Sequence, residues 1–416
     1  MTSVVLDGNS GVDGWATEGR RSRWPYRVAA EVPFWDSRTY RALLRAVLSG
    51  HVVSGRQIER LAERLRGHFN RPVLVCGSGR AALTLALAAG GVGRDDEVIV
   101  PTFCCESVLH PIFAVGARPV FADAGPDLML TAATVDLALT SRTRAVIVPH
   151  MFGNPAPIDA IADLVRTRGV LVLDDAAQAL GGELKGRPLG TFGDAGIVSF
   201  GNGKICFGTG GGALLTDDPD LMARARAISL QRPRAIDAVR HAAGVVMWRS
   251  WRRHTLALQS RLSGRGFIRR HQPSPRGAAR NLDAAVALTL LDTLETNVTG
   301  RRARVNVYEQ QLAGVEGLTL FRHASGSACL TQVVRVSRAR PSLDPRRLID
   351  WLGAHGVESG FSFTPLHRQT RYRHLSDRPL PQADALMESL IELPAEPQIP
   401  LEDVERIAGL VHAAAA

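Results

Sequence analysis

Short apolar runs alternate with helical stretches between residues 73 and 215, and this alternation constrains the fold most strongly. The runs lie at 73–75, 97–100, 119–121, 145–148, 170–173, 196–199 and 212–215. Helical spacing of apolar residues predicts helices at about 79–89 and 158–167 between them. Strands that are apolar on both faces are typical of a buried, mostly parallel sheet with helices on both sides. The sequence therefore predicts an α/β fold.

The flanking regions follow other patterns. Residues 54–57 resemble a capping box, and the helix they would open carries apolar residues at helical spacing: Ile58, Leu61, Ala62, Leu65 and Phe69. A long helix is expected after residue 276, with a buried stripe of Leu282, Val286, Leu290, Leu291 and Leu294. Beyond it we expect a smaller α+β region, in which Asp344 caps a helix that begins at Pro345.

These patterns divide the chain into four parts. We expect a loose N-terminal segment at 1–36, a large domain at 37–231 that contains the sheet, an insertion rich in Arg and Trp at 232–275, and the long helix with a small C-terminal domain at 276–416. A helical insertion is favoured at 232–275 over a segment that lies on a membrane or a partner. Its role does not follow from its sequence.

Bulk composition narrows the class of protein. The chain is 45% apolar and 22% charged, as in ordinary globular proteins. Its five cysteines lack disulfide or zinc spacing, which favours a reducing, cytoplasmic location. Residues 1–19 do not form a signal peptide, and no apolar run is long enough to cross a membrane. The net charge of +10 with only 6% aromatic residues favours a solvated surface or an anionic small substrate over nucleic acid.

Positive charge in this chain is carried almost entirely by arginine. Lys and Arg together number 50, yet only Lys185 and Lys204 are lysines. An amine can lose its proton and add to a carbonyl, whereas a guanidinium stays protonated. A retained lysine therefore suggests a covalent site for an aldehyde. The alternative is drift in an arginine-biased sequence, and the count alone leaves both interpretations open.

Two further stretches have the composition of a ligand site. In the first, a strand runs into a helix through Gly77, Ser78, Gly79 and Arg80. Backbone N–H groups at a helix start can hold a phosphate, and Arg80 would add a paired charge contact. Such turns are also common without a ligand. The second, at 101–106, follows a strand and includes Cys104 and Cys105.

Acidic and hydroxyl side chains end two other predicted strands. Asp174 and Asp175 end one of them, at the sheet edge where α/β proteins bind ligands. A carboxylate there can pair with a protonated ring nitrogen, although one of the two aspartates would serve equally as a helix cap. Ser199 ends the other strand, five residues before Lys204, so its hydroxyl can reach one end of a cofactor whose aldehyde reaches the lysine.

Taken in this order, the motifs resemble the DegT/DnrJ/EryC1/StrS aminotransferases, which are fold-type-I pyridoxal-phosphate enzymes. The resemblance rests mainly on Asp175-Ala176-Ala177-Gln178 and its distance to the lysine loop, from about residue 54 to 216 and again from 282. Supporting segments are 95–101, 116–121, 150–155, 193–196 and 365–367. The resemblance implies an aspartate-aminotransferase-like large domain with a mostly parallel sheet and a smaller C-terminal α+β domain.

The resemblance also implies residue roles. Lys204 matches the lysine that holds pyridoxal 5'-phosphate covalently and moves the proton during transamination. Asp175 matches the acid on the ring nitrogen, and Gln178 matches the side chain near the phenolic oxygen. The phosphate cradle corresponds to Ser78, Gly79, Arg80 and Ser199. Cys105 stands where an aromatic residue usually stacks on the ring, and Arg80 stands where threonine is usual.

Other positions depart from the family pattern. Leu180 replaces a usual histidine, Gly203 precedes the lysine where Pro-Thr is usual, and 276–279 replaces a segment that reaches the neighbouring subunit. These departures leave the substrate open. The activity implied is transfer of an amino group from an amino-acid donor to a keto-sugar, nucleotide-linked or not, in cell-surface or natural-product (including antibiotic) biosynthesis, by a cytoplasmic homodimer. Alternatives are an enzyme of the 3-amino-5-hydroxybenzoate synthase type and a non-catalytic relative that acts as partner or regulator.

Overall fold

The computed structural model describes residues 27–125, 127–247, 274–337, 343–376 and 378–415. The helices are α1 (Ser37–Leu48), α2 (Gln57–Phe69), α3 (Gly79–Ala89), α4 (Leu109–Val115), α5 (Ala132–Ala138), α6 (Ile158–Val165), α7 (Pro219–Ala227), α8 (235–247), α9 (Asn281–Leu291), α10 (Leu294–Gln311), α11 (Pro345–Ala354), α12 (Pro381–Leu386) and α13 (Leu401–Ala415).

The strands belong to two main sheets and one small hairpin. They are β1 (Val73–Cys76), β2 (Glu97–Pro101), β3 (Arg118–Ala122), β4 (Thr143–Pro149), β5 (Leu171–Asp175), β6 (Glu183–Leu184), β7 (Arg187–Pro188), β8 (Ala195–Ser199), β9 (Gly212–Leu215), β10 (Leu318–Leu320), β11 (Gln332–Val336), β12 (Gly360–Phe361) and β13 (Leu390–Leu393).

The large sheet has seven strands in the order β1-β9-β8-β5-β4-β2-β3. The pairs from β8 to β3 are all parallel, while β9 runs antiparallel to β8 and β1 on either side. All seven apolar runs of the sequence lie on its strands. The central strands are buried, as for β2 and β4, because helices pack over the sheet. The expected mostly parallel α/β sheet is confirmed.

The second sheet is antiparallel, with the order β10-β11-β13-β12. Its apolar side chains, including Val334 and Ile391, share one buried cluster with residues of α10, α11 and α13, such as Tyr308, Leu348 and Ile407. The smaller C-terminal α+β region is therefore present. Asp344 caps α11 as expected, since its side chain accepts a hydrogen bond from the Arg347 N–H at 3.0 Å and Pro345 follows it.

The start of α2 differs from the expected capping box. No side chain of 54–57 caps the helix, and the Gln57 N–H instead donates to Oδ1 of Asn281 at 2.9 Å. A Cβ on Gly55 would lie 2.7 Å from that oxygen, so the glycine makes room for Asn281. The capping-box prediction is wrong because a residue more than two hundred positions away supplies the acceptor.

The expected long helix is two helices. α9 ends at Leu291 and α10 begins at Leu294, so the chain turns at 292–293. The five leucine and valine residues of the expected stripe are all buried, but they belong to both helices. The apolar pattern located the buried face correctly, and it contained no signal for the break.

The ends of the proposed domains are only partly described. Residues 1–26 and 248–273, which include most of the expected loose segment and of the Arg/Trp-rich insertion, lie outside the described residues. Within 27–36, the Val28 N–H donates to the Gly356 carbonyl at 2.9 Å, and Trp35 is buried. Residues 235–247 form α8. The division of the chain into these four parts stays a prediction.

Two glycines, one in the large sheet and one in α2, differ in how closely other atoms approach them. A Cβ on Gly196 of β8 would lie 1.9 Å from the Gly190 carbonyl oxygen, whereas a Cβ on Gly67 of α2 would meet nothing within 4 Å. We expect Gly196→Ala to destabilise the protein by about 3 kcal/mol or more, because backbone must move. Gly67→Ala should stabilise it by about 0.5–1 kcal/mol. Urea unfolding measures both, and equal midpoints for the two variants would contradict the packing described.

Candidate active site

The predicted site residues meet at one edge of the large sheet. β1, β2, β5 and β8 all run in the same direction, because β1 and β8 are both antiparallel to β9. Their carboxyl ends therefore lie on the same side. Ser78 follows β1, Cys105 follows β2, Asp175 ends β5 and Ser199 ends β8.

The start of α3 and the end of β8 form a narrow cleft lined by backbone. Ser78 is the N-cap of α3, and its hydroxyl accepts a hydrogen bond from the Ala81 N–H at 3.2 Å. A Cβ on Gly79 would lie 3.0 Å from Cβ and 3.3 Å from Oγ of Ser199. The Ser199 hydroxyl itself accepts from the Gly201 N–H at 3.3 Å. A helix N-terminus and a hydroxyl thus converge where a side chain at position 79 would be crowded, an arrangement suited to an anion such as phosphate.

Asp174 holds the surrounding loops together. Its Oδ1 lies 2.7 Å from Nε2 of His150, and its Oδ2 accepts hydrogen bonds from the N–H groups of Gly190 at 2.8 Å and Phe192 at 2.9 Å. Asp174 itself is fully buried. The alternative of a helix cap is not realised, since no helix directly follows β5. Asp174 instead binds a turn fifteen or more residues further along.

Asp175 faces a different environment. Its Oδ1 accepts a hydrogen bond from the Ala177 N–H at 3.0 Å. Burial raises the pKa of this carboxyl above its ordinary value, and the nearby charges of Lys204 and His150 oppose the shift. A buried carboxylate is costly unless a cation pairs with it. Asp175 is therefore prepared for a positively charged partner at this edge of the sheet.

Gln178 is buried three residues after Asp175. Its side-chain oxygen accepts a hydrogen bond from the Phe152 N–H at 3.1 Å. Phe152 adopts a left-handed backbone, with φ of 57°, in the short turn that follows β4. The turn therefore fixes the orientation of the Gln178 amide and leaves its N–H₂ end as the donor end.

The loop that carries Lys204 is held by distant side chains. The carbonyls of Ile205, Phe207 and Thr209 accept hydrogen bonds from the side chains of Asn297 at 2.9 Å, Trp35 at 2.7 Å and Arg280 at 2.9 Å, respectively. Gly203, just before the lysine, has φ of 68°. Lys204 is half-buried at the start of a loop whose alternate carbonyls are fixed. Lys204 also acts to lower the pKa of Asp175, against the larger effect of burial.

Arg80 and Cys105 lie together beside the cleft. Nη1 of Arg80 is 3.2 Å from Nδ1 of His110 on α4. The Cys105 thiol is half-buried and lies 3.1 Å from the Ser107 hydroxyl. The Arg80 guanidinium reaches α4, whereas Ser78, Gly79 and Ser199 lie at the helix start. The roles of Arg80 in phosphate binding and of Cys105 at the ring stay predictions.

Several residues that shape the site were not identified as such from the sequence. His150 was noted only within a matching segment, although it follows a buried strand at the same edge, and that position is a usable signal. Trp35, Asn297 and Arg280 had no such signal, because each is far from the lysine in sequence and ends up beside it only through tertiary packing.

Two structural searches bear on the class of site. Among the described residues, no group of three or more His, Cys, Asp or Glu side chains is arranged to hold a metal ion. In the same part of the chain, no helix is both long and apolar enough to span a bilayer. The side chains that converge at the sheet edge are instead an amine, carboxylates, an amide and hydroxyls.

We expect Asp175→Asn to stabilise the cofactor-free protein at neutral pH. Because the folded pKa is raised, the native chain binds this proton more tightly than the unfolded chain, so the carboxylate costs stability above its folded pKa. The cost disappears as the pH falls to the ordinary value of 3.8. Urea unfolding should show a gain on the order of 1 kcal/mol at pH 7 that shrinks towards pH 4.

Asp350→Asn is the matched control, since Asp350 is exposed on α11. This variant should unfold within about 0.5 kcal/mol of the parent protein at both pH values. A loss of stability for Asp175→Asn at pH 7 would show that the carboxylate is better satisfied than its surroundings indicate.

Comparison with known proteins matches most of the chain. The model of the DegT/DnrJ/EryC1/StrS aminotransferase family matches residues 35–412. The chain is 30% identical over 340 residues to UDP-N-acetyl-3-dehydro-alpha-D-glucosamine 3-aminotransferase of Acidithiobacillus ferrooxidans, covering 81% of this chain and 82% of that protein. It is 29% identical to GDP-perosamine synthase of Caulobacter vibrioides, with 80% and 83% covered.

Solved structures agree with the fold. Aminotransferase TlmJ from Streptoalloteichus hindustanus superposes with a TM-score of 0.74 at 28% identity, covering 93% of this chain and 98% of that one. The fold expected from the resemblance is thereby confirmed, as is the resemblance itself.

Proposed function

This chain belongs to the DegT/DnrJ/EryC1/StrS aminotransferase family, and we propose that it is a pyridoxal-phosphate-dependent aminotransferase that moves an amino group from an amino-acid donor to a keto-sugar. The observation that carries the proposal is that buried Asp175 at the end of β5, the Lys204 loop after β8 and the start of α3 after β1 all lie at the same edge of the large sheet. An amine, a buried acid and an anion cradle are the three groups that an aldehyde-bearing pyridine phosphate requires.

The residues at this edge fit the cofactor. The close approach of Gly79 and Ser199 leaves little room for a side chain at position 79, and the helix start and the serine provide N–H and hydroxyl groups for a phosphate. The buried Asp175 carboxyl, whose pKa is raised, would be compensated by a protonated ring nitrogen. Gln178 offers amide hydrogens for an oxygen at the ring. Lys204 would hold the aldehyde.

When bound, pyridoxal phosphate supplies an aldehyde and a ring that accepts a pair of electrons from the substrate carbon. The chain supplies acid–base chemistry and orientation. Lys204 Nζ would move a proton between the substrate carbon that bears the amino group and the carbon of the cofactor aldehyde. Asp175 would keep the ring nitrogen of the cofactor protonated. The contact between Asp174 and His150 holds the end of β5 in place. The fixed carbonyls of 205, 207 and 209 limit how far Lys204 can move.

The substrate class follows from relatives and from charge. The two curated relatives are named for UDP- and GDP-linked sugars. The net charge of +10 suits an anionic, nucleotide-linked substrate. We propose a keto-sugar acceptor of this kind, used in cell-surface or natural-product, including antibiotic, biosynthesis. Some members of the family carry histidine in place of the lysine and dehydrate their substrate, and Lys204 disfavours that route here. The presence of lysine, acid and serine together disfavours a non-catalytic relative.

Replacement of Lys204 tests the proposal directly. The purified protein with pyridoxal phosphate should show a visible absorption band. Borohydride should abolish this band and leave the cofactor covalently attached to residue 204. Lys204→Ala should lose the trapped adduct and at least about 10³-fold in transamination, since nucleophile and proton carrier are both removed. Lys204→Arg keeps the charge but cannot lose its proton, so it should be equally inactive.

Lys185→Arg is the control, because Lys185 is exposed and pairs with Asp159 away from the site. It should retain the band and the activity. Trapped cofactor or full activity in Lys204→Ala would refute the proposed mechanism.

We propose in addition that the enzyme is a cytoplasmic homodimer. All five cysteines are free, which suits a reducing compartment. α1 exposes Leu44 and Leu48 one helical turn apart, 56% and 76% exposed, and an apolar pair of this kind suits an interface between copies.

Sedimentation velocity should show a dimer for the parent protein and a shift towards monomer for Leu48→Glu, because a charge would be buried in the interface. Leu137→Glu is the matched control, since Leu137 is 80% exposed on α5, away from α1. A parent protein that sediments as a fully active monomer would contradict the proposal.

A further inference from the structure

A loop of the small sheet packs against the short turn that follows β4 in the large sheet. Residues 321–331 connect β10 to β11, and we call them the β10–β11 loop. The Ala328 N–H donates a hydrogen bond to the Gly153 carbonyl at 2.8 Å. The Leu330 N–H donates to the Phe152 carbonyl, also at 2.8 Å. Two backbone hydrogen bonds therefore join the small sheet to this turn.

The backbone is strained on both sides of this contact. Phe152 has φ of 57° and Cys329 has φ of 53°, in the left-handed region that residues other than glycine rarely adopt. A Cβ on Gly153 would lie 2.9 Å from the backbone nitrogens of Cys329 and Leu330. Strained conformations persist only where their surroundings fix them, and they are concentrated at functional sites. The loop and the turn therefore impose a defined geometry on each other.

His323 holds the β10–β11 loop in this position. Its Nε2 lies 3.0 Å from the Thr331 carbonyl oxygen, and its Nδ1 lies 2.8 Å from the Ser327 hydroxyl oxygen. Because a carbonyl can only accept, Nε2 carries the ring proton. Burial lowers the pKa of His323 to about 4, so the ring is neutral at pH 7 and Nδ1 is an acceptor. The imidazole therefore bridges the start of β11 and Ser327 in one tautomer.

The buried Ser327 hydroxyl connects this imidazole to the turn. Its oxygen lies 2.9 Å from the Gly153 carbonyl oxygen and accepts a hydrogen bond from the Cys329 N–H at 3.0 Å. The Gly153 carbonyl also accepts from a backbone N–H, so the hydroxyl can donate to His323 without leaving that carbonyl unpaired. Removing the hydroxyl would leave Nδ1 of His323 without a donor, which is costly for a buried group.

The turn in this contact is the one that orients Gln178. The Phe152 N–H donates to the Gln178 side-chain oxygen at 3.1 Å, and no described residue accepts a hydrogen bond from the amide nitrogen. The β10–β11 loop also reaches the chain after Gln178, since the Gly326 carbonyl accepts from the Glu183 N–H at 2.7 Å. The loop therefore contacts both the turn that binds this amide and the strand that follows it.

We propose that the β10–β11 loop positions Gln178, with His323 and Ser327 as its positioning residues. This inference rests on the proposed aminotransferase function, in which the amide of Gln178 faces an oxygen of the cofactor ring. A hydrogen-bond donor at that oxygen favours its deprotonated, charged form. The small sheet, through this loop, thus helps to set the protonation state of the bound cofactor.

The absorbance of the holoenzyme, followed against pH, tests the proposal. Gln178→Leu should raise the pH midpoint of the change in the visible band by about one unit, because the charged oxygen loses a donor. His323→Leu and Ser327→Ala should raise the midpoint by smaller amounts. The double variant His323→Leu/Gln178→Leu should have the midpoint of Gln178→Leu alone, since the loop acts through that amide.

A second readout uses the cofactor-free protein. Hydrogen exchange at the Phe152 amide, followed by NMR, should be about fivefold to tenfold faster in His323→Leu and in Ser327→Ala, as expected for one lost hydrogen bond. His323→Asn should recover part of the effect, because it keeps a polar group near the position of Nδ1. Ser327→Ala removes a single heavy atom and provides the variant to use if His323→Leu unfolds.

His355→Leu is the matched control, since His355 is an exposed histidine at the end of α11 in the same C-terminal region. It should have the exchange rate and the pH midpoint of the parent protein.

The outcomes are distinct. Additive shifts in the double variant, or unchanged midpoints in His323→Leu and Ser327→Ala while Gln178→Leu shifts, would overturn the inference and leave the proposed function intact. An unchanged midpoint in Gln178→Leu would also overturn it, because the amide would then not reach the ring oxygen. A parent protein that takes up no pyridoxal phosphate would overturn the proposed function and this inference with it.

Discussion

The pairing of buried backbone groups around residues 201–212 is the constraint on which the site depends. Residues 205–212 of this segment, which connects β8 to β9, are buried, so their carbonyls are shielded from water. Buried carbonyls require donors. The chain supplies them from three distant elements through Asn297, Trp35 and Arg280. The same bonds that satisfy the backbone fix the attachment point of the lysine.

Buried charge surrounds this loop on several sides. Asp283 is buried, pairs with Arg280 and accepts a hydrogen bond from Thr209 at 2.8 Å, and burial raises its pKa. Arg301 donates to Asn297 at 2.9 Å and is itself buried. Buried ion pairs of this kind contribute little net stability, but removing one partner is costly. The network therefore contributes more to fixing a single conformation of the loop than to the stability of the fold.

The sequence predicted the large sheet well because parallel strands buried on both faces have continuous apolar runs. It also placed the four site stretches at one edge, since carboxyl ends of parallel strands meet there. It failed where a long-range contact replaced a local one: Asn281 caps α2, and a two-residue turn divides the expected long helix. Trp35 and Arg280 lay outside any local motif, so no spacing rule could find them. The residue pattern alone did not distinguish Asp174 from Asp175; the family resemblance assigned the ring-nitrogen role to Asp175, and the structure shows that the two carboxyls have different surroundings.

The short arm at 27–36 gives the fold a particular order of assembly. The N–H groups of Ala30 and Glu31 donate to the carboxylates of Glu358 at 3.0 Å and Glu396 at 2.5 Å, and a Cβ on Gly203 would lie 2.9 Å from a Glu31 carboxylate oxygen. Glu358 and Glu396 follow the residues that they bind by 328 and 365 positions in the chain. The arm can therefore reach its final position only after the C-terminal region has been made. The packing of the arm against Gly203, the residue before Lys204, likewise depends on the C-terminal region, so a chain that lacks this region would leave the lysine loop without that contact.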